Sequence, residues 1–343
     1  RKNTMTSLGV AVVGAGGANI ATANHLPAIK RIPELELVLL MDKNPKVKEY
    51  AETYDAEWTL DFDAVLERDD VHIVHICSPD WLHAEQTIRA LEAGKHVLCE
   101  KPMALSISDA RAMLEAAKRN NRKPQIMANY RWFPEWNYVK EVVESGRLGK
   151  LRHIKYIIQK PFFSYPPDSP YRKKWTGGQF IHNGVHYVDL ICYFLESLPI
   201  DVAALTRSYY PTSDRLETDN YILCSMLMEN GASAVCEMNL CVKPDTPPFE
   251  RMVLIGEKDN LDISLLAGSP SVYTGDGYAP VTLPPKDPVE SFRLLIRNFM
   301  ESILGETKQA IPPEFSLRVF EACVGALMAA EEKRTIKFPV AEA

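Results

Sequence analysis

The chain has 343 residues, 46% of them apolar and 24% charged, so it can bury two ordinary cores and is not a disordered polymer. A formal charge of −6 and a pI near 5.8 lack the basic excess that phosphate backbones demand, so no nucleic-acid partner is expected. Seven scattered cysteines without a C-x-x-C pair point away from a disulfide framework or cysteine-held zinc and toward a cytoplasmic setting, and without a bilayer-length apolar run or a signal core no membrane partner is expected.

From Leu8 to about Ala128, buried-strand runs alternate with helical patterns. "LGVAVVGAG", "ELELVLLMD", "VHIVHICSP", "KHVLCEKP" and "PQIMANY" read as strands, and "HAEQTIRALEAG" and "DARAMLEAAKRNN" as helices between them. Continuous rather than alternating apolar strands predict a doubly wound parallel sheet covered on both faces, a Rossmann-type α/β domain over residues 5–128.

Its first turn is "VGAGGANIA". Gly14 and Gly16 occupy the first two places of G-x-G-x-x-G, Gly17 and Ala18 follow, and Asn19 stands in the third. Glycines there let a backbone turn tightly and approach a pyrophosphate, whose charge is favoured at the helix start. Asp42 closes the second strand, 26 residues beyond Gly16, where a carboxylate accepts hydrogen bonds from the adenosine ribose and repels an added phosphate. The expected cofactor is therefore NAD rather than NADP, with Lys43 beside Asp42 as the opposing charge.

Residues 129–343 have a different character. "PEWNYVKEVVESGRLG" reads as a helix and "LRHIKYIIQK" as a strand. A proline-rich loop follows from Pro161 to Pro170, then an apolar helix at "GGQFIHNGVHYVD". "DNYILCSMLMENGASAVCEMNLCV" and "FERMVLIGEKDNLDISL" read as hairpins of a large antiparallel sheet, closed by a helix from about Pro313 to Lys333. The expected second domain is thus α+β. An open antiparallel sheet must cover its second face, which with Met226, Met228 and Met238 as apolar surface suggests a homo-oligomer.

Within the apolar helix, Gln179, His182, His186 and Asp189 recur at i, i+3, i+7 and i+10, a polar stripe that needs partners. Four-residue spacing would stack the two histidines on one face, which suits a metal pair, a proton relay or satisfied core residues equally. Zinc needs a third ligand, and none follows at a recognisable spacing, so no metal is expected. Lys101 ends a strand before a proline, where open parallel sheets present ligands and where an ammonium would polarise a reacting oxygen.

"GKHVLCEKPMAL" carries a further signal. E-K-P after a strand, with the glycine turn before it, "NYRWFPEW" and "GRLGKLRHIK" after it, and "GGQFIHNGVHYVD" beyond, resembles the glucose-fructose oxidoreductase and inositol dehydrogenase family (Gfo/Idh/MocA) over nearly the whole chain. The resemblance implies a Rossmann domain followed by a domain on a large open antiparallel sheet, and hydride transfer between nicotinamide and a secondary alcohol of a carbohydrate or cyclitol. It also implies a homodimer or homotetramer, Lys101 as the lysine on the substrate hydroxyl and His186 as the acid/base. His182 stands where many members have aspartate and is expected to assist catalysis.

By the same resemblance Ser78, Pro79 and His83 belong to a nicotinamide-side loop, against the alternative of a helix cap by Asp80. Glu100 holds the nicotinamide ribose or merely ends its strand. Arg131 and Trp175 line the cofactor cleft or pack in a core; Asn183 joins His182 and His186 on the substrate, and Tyr156 or Tyr165 could stack on a sugar. Two other activities fit the same residues: NAD-dependent glycoside cleavage through transient oxidation, and non-catalytic sensing of NAD or sugar.

Overall fold

The computed structural model describes residues 7–161, 170, 173–209, 217–243, 245–266, 269–274 and 277–340. The chain divides into two compact units, Arg1–Phe133 with Asp287–Ser316, and Pro134–Lys286 with Leu317–Ala343.

In chain order the first unit contains β1 (Leu8–Val13), α1 (Leu26–Lys30), β2 (Leu35–Met41), α2 (Val47–Tyr54), β3 (Glu57–Thr59) and α3 (Phe62–Leu66). It continues with β4 (Ile73–Ile76), α4 (His83–Glu92), β5 (His96–Cys99), α5 (Ile107–Asn120) and β6 (Pro124–Ile126). The six strands pair in parallel in the order β3-β2-β1-β4-β5-β6, so the chain reverses its direction of travel across the sheet between β1 and β4. A doubly wound sheet takes its ligands at such a reversal, beyond the strands' C-terminal ends. Burial along β1 and β4 is nearly continuous, as two covered faces require. The short β3, exposed at its edge, has too little apolar pattern to show in the sequence.

The helix Pro288–Leu304 also belongs to this unit. Phe292, Leu295, Ile296, Phe299 and Met300 share one face and join Val10, Val12, Leu26, Ile29 and Leu40 in a single core. A single cut after Ala128 is therefore corrected on two counts: the first segment runs on to Phe133, and a later segment returns to it because its apolar stripe is buried there.

The second unit begins with α6 (Pro134–Glu144), β7 (Leu151–Pro161), α7 (Val185–Leu195), β8 (Pro199–Arg207), β9 (Tyr221–Met228) and β10 (Ser233–Val242). β11 (Phe249–Gly256), β12 (Asn260–Leu266), β13 (Ser269–Thr274) and β14 (Gly277–Pro280) follow; after α8, the helix Pro288–Leu304, come α9 (Pro313–Glu332) and β15 (Ile336–Lys337). The nine strands are ordered β14-β13-β12-β11-β7-β10-β9-β8-β15. The sheet is mixed rather than wholly antiparallel, because β7 and β10 pair in parallel while every other described pair is antiparallel. β10 reaches β7 only after the excursion through α7, β8 and β9, and so returns in the same direction.

Alternation is strict along β9 and holds along β10 as far as Leu240. Ile222, Cys224, Met226, Met228, Cys236 and Met238 are buried, whereas Leu205, Leu227 and Ile255 are exposed at 44%, 40% and 41%. The three methionines thus lie in the core, and the open surface is supplied by leucine and isoleucine instead. All seven cysteines are free and buried. No helix among the described residues is long and apolar enough to cross a membrane.

Candidate active site

In the first unit the turn after β1 is built by glycine geometry and one asparagine. Gly14 has φ +90°, and its N–H donates to the Met41 carbonyl at 2.8 Å. A Cβ there would lie 2.6 Å from the Cys77–Ser78 peptide, so the turn packs directly on the chain leaving β4. Asn19, in the place of the third glycine, donates from Nδ2 to the Gly14 carbonyl at 2.8 Å and accepts from the Ala21 N–H at 3.0 Å. The side chain thus closes the turn that a glycine would have closed by close packing. Thr22 donates to the Gly17 carbonyl at 2.8 Å, and space within 4 Å of a Cβ at Gly17 is open.

Asp42 follows β2 and faces this turn. One carboxylate oxygen accepts from the Gly16 N–H and the other from the Asn44 N–H, both at 2.8 Å. A Cβ on Gly16 would meet the Asp42 side chain at 2.5 Å, which explains glycine there independently of any ligand.

Beyond β4 and β5 stand the residues assigned to the nicotinamide side. Ser78 donates to Gln86 Oε1 at 2.5 Å, and Pro79 leads into a short 3₁₀ turn, Asp80–Leu82. His83 is only 1% exposed, with both ring nitrogens on carbonyl oxygens of its own unit. Its expected place as a ligand contact is corrected accordingly: the ring lies beneath the loop, not on its surface.

Glu100 is buried, and its Oε1 lies 3.0 Å from His25 Nε2 while Oε2 accepts the Lys101 N–H at 3.2 Å. Burial alone would raise its pKa, but the His25 hydrogen bond and the nearby His25, Lys101 and His83 charges bring it below the usual carboxylate range. His25 Nδ1 lies 3.1 Å from His75 Nδ1, and burial holds His75 neutral. This chain of buried polar groups, His75 to His25 to Glu100, ends on the backbone of Lys101. Burial pushes the Lys101 ammonium below its ordinary range, with Glu100 and Asp80 pulling the other way.

Arg131 remains inside the first unit: it is 5% exposed, donates to the Ala310 carbonyl at 3.0 Å and stacks 4.5 Å over the Phe315 ring. Its guanidinium is engaged in fastening the returning segment, which corrects its expected place in a cofactor cleft.

In the second unit, Gly177 and Gly178 both have positive φ and lead into a π-helical turn, Phe180–Gly184, which continues as α7. His182 and Asn183 lie in that turn and are partly buried; His186 and Asp189 lie in α7 at 5% and 3% exposure. Asn183 donates to Gln179 Oε1 at 2.7 Å. The turn is π-helical over His182, and His186 lies in the first turn of α7. Among the described residues no group of three or more His, Cys, Asp or Glu is arranged to hold a metal ion.

Tyr156 is fully buried in the sheet, edge-on to Trp136 and Tyr187, with its hydroxyl donating to Glu250 at 3.1 Å. It is a core residue, and its expected stacking on a sugar is corrected. Trp175 lies in the second unit and is 55% exposed. Tyr165 lies outside the described residues. Sequence reasoning missed His25 and His75, because the contacts of His25 with Glu100 and with His75 are long-range and leave no local signature. It also missed Lys160, which pairs with Glu250 beside the Tyr187 hydroxyl.

Comparison with known proteins follows the same division. Residues 8–129 match an oxidoreductase family with a NAD-binding Rossmann fold, and residues 136–262 match the GFO/IDH/MocA C-terminal domain. Glucose-6-phosphate 3-dehydrogenase of Bacillus subtilis is 28% identical over 275 residues, 77% of this chain and 76% of the relative. A dTDP-3,4-didehydro-2,6-dideoxy-alpha-D-glucose 3-reductase of Streptomyces violaceoruber is 34% identical over 190 residues, 53% of this chain and 54% of that one. The aligned region thus spans about half to three quarters of these curated relatives. Among solved structures, aldose-aldose oxidoreductase from Caulobacter crescentus superposes with a TM-score of 0.83 at 26% identity, covering 97% of this chain and all of the other.

Proposed function

The chain belongs to the Gfo/Idh/MocA oxidoreductase family, and from that premise we propose an NAD-dependent dehydrogenase or reductase acting on a secondary alcohol of a sugar, sugar derivative or inositol. One observation carries the reading furthest: Lys101 follows β5 in a parallel sheet whose β1 turn is shaped for a dinucleotide, and burial lowers its ammonium pKa. The activities of the sugar-acting relatives support the substrate class.

The residues of the glycine turn fit the dinucleotide. The turn's own hydrogen bonds use the Gly14, Ala15, Gly16 and Asn19 amides, and none among the described residues takes the Gly17 or Ala18 N–H. Open space beside Gly17 leaves that backbone approachable. Gly14 through Asn19 would hold the pyrophosphate, Asp42 the adenosine ribose, and Ser78, Pro79 and Glu100 the nicotinamide end; NAD supplies the hydride acceptor for alcohol oxidation and, reduced, the donor for the reverse. Asp42, with a negative charge where NADP carries its extra phosphate, favours NAD.

In this reading Lys101 stabilises the substrate oxygen as it becomes a carbonyl, and His186 receives the hydroxyl proton. His182 and Asn183 contact the substrate, and Asp189 orients His186. The open sheet face with Leu205, Leu227 and Ile255 pairs subunits into a homodimer or homotetramer.

The test is a panel of sugars, sugar phosphates and inositols offered with NAD⁺ or NADP⁺, read as reduced nicotinamide and identified product. At least one should turn over, and Lys101→Met and His186→Ala should each lower kcat by about a hundredfold or more. NAD binding without turnover of any of them, or wild-type turnover in His186→Ala, would reject the assignment.

A further inference from the structure

His83 starts α4 and is almost wholly enclosed. Its Nδ1 lies 2.7 Å from the Pro102 carbonyl oxygen and its Nε2 2.8 Å from that of Ser78. A carbonyl oxygen can only accept. Both contacts are hydrogen bonds only if both ring nitrogens carry a hydrogen, and a neutral imidazole carries one. Either neutral tautomer would set a nitrogen lone pair against a carbonyl lone pair at that distance, and would leave a buried acceptor unsatisfied. The imidazolium form alone satisfies both ends.

A buried cation also needs opposing charge. Asp80, three residues earlier and 5% exposed, acts on His83 electrostatically, and the ring's charge in turn bears on Glu100. Burial pulls the ring's pKa down, while the Asp80 carboxylate and the Pro102 carbonyl raise it.

The two carbonyls have distinct addresses. Ser78 belongs to the loop after β4, which packs on Gly14 at the end of β1; Pro102 directly follows Lys101 at the end of β5. The geometry points to His83 as a positioning residue, protonated through the neutral range, that bolts the Ser78 loop to the Lys101–Pro102 loop, fixing the backbone from which Lys101 projects. Its consequence for turnover rests on the role proposed for Lys101; its protonation and the clamp do not.

The protonation is tested by NMR on the full chain with ¹⁵N-labelled histidine, following imidazole ring nitrogens from pH 6 to pH 9. The His83→Gln variant assigns the signal among the eight histidines. One ring should keep both nitrogens protonated across the range and vanish in the variant. A His83 ring that is neutral at pH 8, or titrates near the ordinary histidine value of about 6.5, overturns the proposal even if no substrate is ever found. The clamp is tested in the folded fraction of His83→Gln, quantified by circular dichroism. There kcat should fall about tenfold or more while the NAD Kd changes less than twofold, because glutamine's neutral amide cannot reproduce two opposed charged donors. If His83→Gln does not fold, His83→Asn and amide hydrogen exchange at Lys101 in the wild type between pH 8 and pH 11 replace it: protection should drop as the ring deprotonates. Unchanged kcat, or protection indifferent to pH, refutes the clamp. Absence of turnover with every alcohol refutes the proposed function instead and leaves the NMR result to stand alone.

Discussion

Alanine at Gly14 and alanine at Gly17 should do opposite things, although the residues are three apart in one turn. At Gly14 the backbone has φ +90°, a region that costs an L-residue roughly 1–2 kcal/mol. The added Cβ would also sit 2.6 Å from the Cys77–Ser78 peptide, and backbone cannot swing aside as a side chain could; forced overpacking of this kind costs roughly 1–3 kcal/mol. Together Gly14→Ala should destabilise the first unit by about 2–5 kcal/mol, a midpoint shift of about 5–15 °C for a unit of this size. At Gly17 a Cβ meets nothing within 4 Å and the backbone has no positive φ, so stability should stay within about 0.5 kcal/mol of wild type. The methyl would stand where a pyrophosphate must approach, and NAD affinity should fall about tenfold or more, equivalent to about 1.4 kcal/mol. Thermal unfolding followed by circular dichroism and calorimetric titration with NAD⁺ measure the two quantities on both variants. Wild-type stability in Gly14→Ala would contradict the packing of the turn on the β4 exit. Wild-type NAD affinity in Gly17→Ala would show that the dinucleotide does not pass over this backbone.

Asp42→Ser should lower the NAD to NADP ratio of kcat/KM, since it removes the carboxylate that meets the ribose; an unchanged ratio would assign the choice to another residue. Stability should decline in acid through His96, whose pKa is lowered to about 4 by burial and by the Arg122, Lys123 and His72 charges, and whose Nδ1 accepts the Lys123 N–H at 3.1 Å. The unfolded ring binds its proton at about pH 6.5, so the stabilisation is whole above that value and is lost as pH falls toward 4, about 1–3 kcal/mol after allowance for partial exposure. Urea midpoints between pH 7.5 and 4.5 should decline less in His96→Asn, which keeps an acceptor; an identical slope would reject the attribution. The sheet-face pairing is checked by light scattering at micromolar concentration, where a monomer alone would reject it and Leu227→Glu should shift the wild-type oligomer toward monomer.

Much of this architecture is written locally. The five apolar runs of the first domain, the glycine turn and Asp42 each announce themselves within a few residues, because buried parallel strands and a tight turn impose composition on short stretches. The histidine helix shows itself in its polar stripe and Lys101 in its place at a strand end, whereas the roles expected of both rest mainly on family likeness. What escaped was decided by partners far along the chain. α8 has an ordinary amphipathic pattern, but nothing in that pattern says that Phe292 and Phe299 are buried with Val10 rather than with the sheet they follow. Tyr156 looked available for a sugar because a strand residue's face is not fixed until its register is known, and here it pairs opposite Met252 and Cys236 with its ring inward.

The histidines show the same limit in a sharper form. Sequence spacing converts to direction only through an assumed helical period, and both π-helical turns among the described residues depart from it: Ala21–His25 ends on the histidine that meets Glu100, and Phe180–Gly184 contains His182. An i→i+5 turn inserts a residue into the helical count, so side chains beyond it are rotated from where a 3.6-residue period would put them. His25 reaches a carboxylate 75 positions away, and His83, at the start of α4, a carbonyl 19 positions away. In both cases the histidine lies under the loop that carries Lys101 and holds it by hydrogen bonds to its own neighbours. Positioning by buried polar contacts is specified by which atoms meet, and a linear pattern of apolar and polar residues carries no record of that meeting.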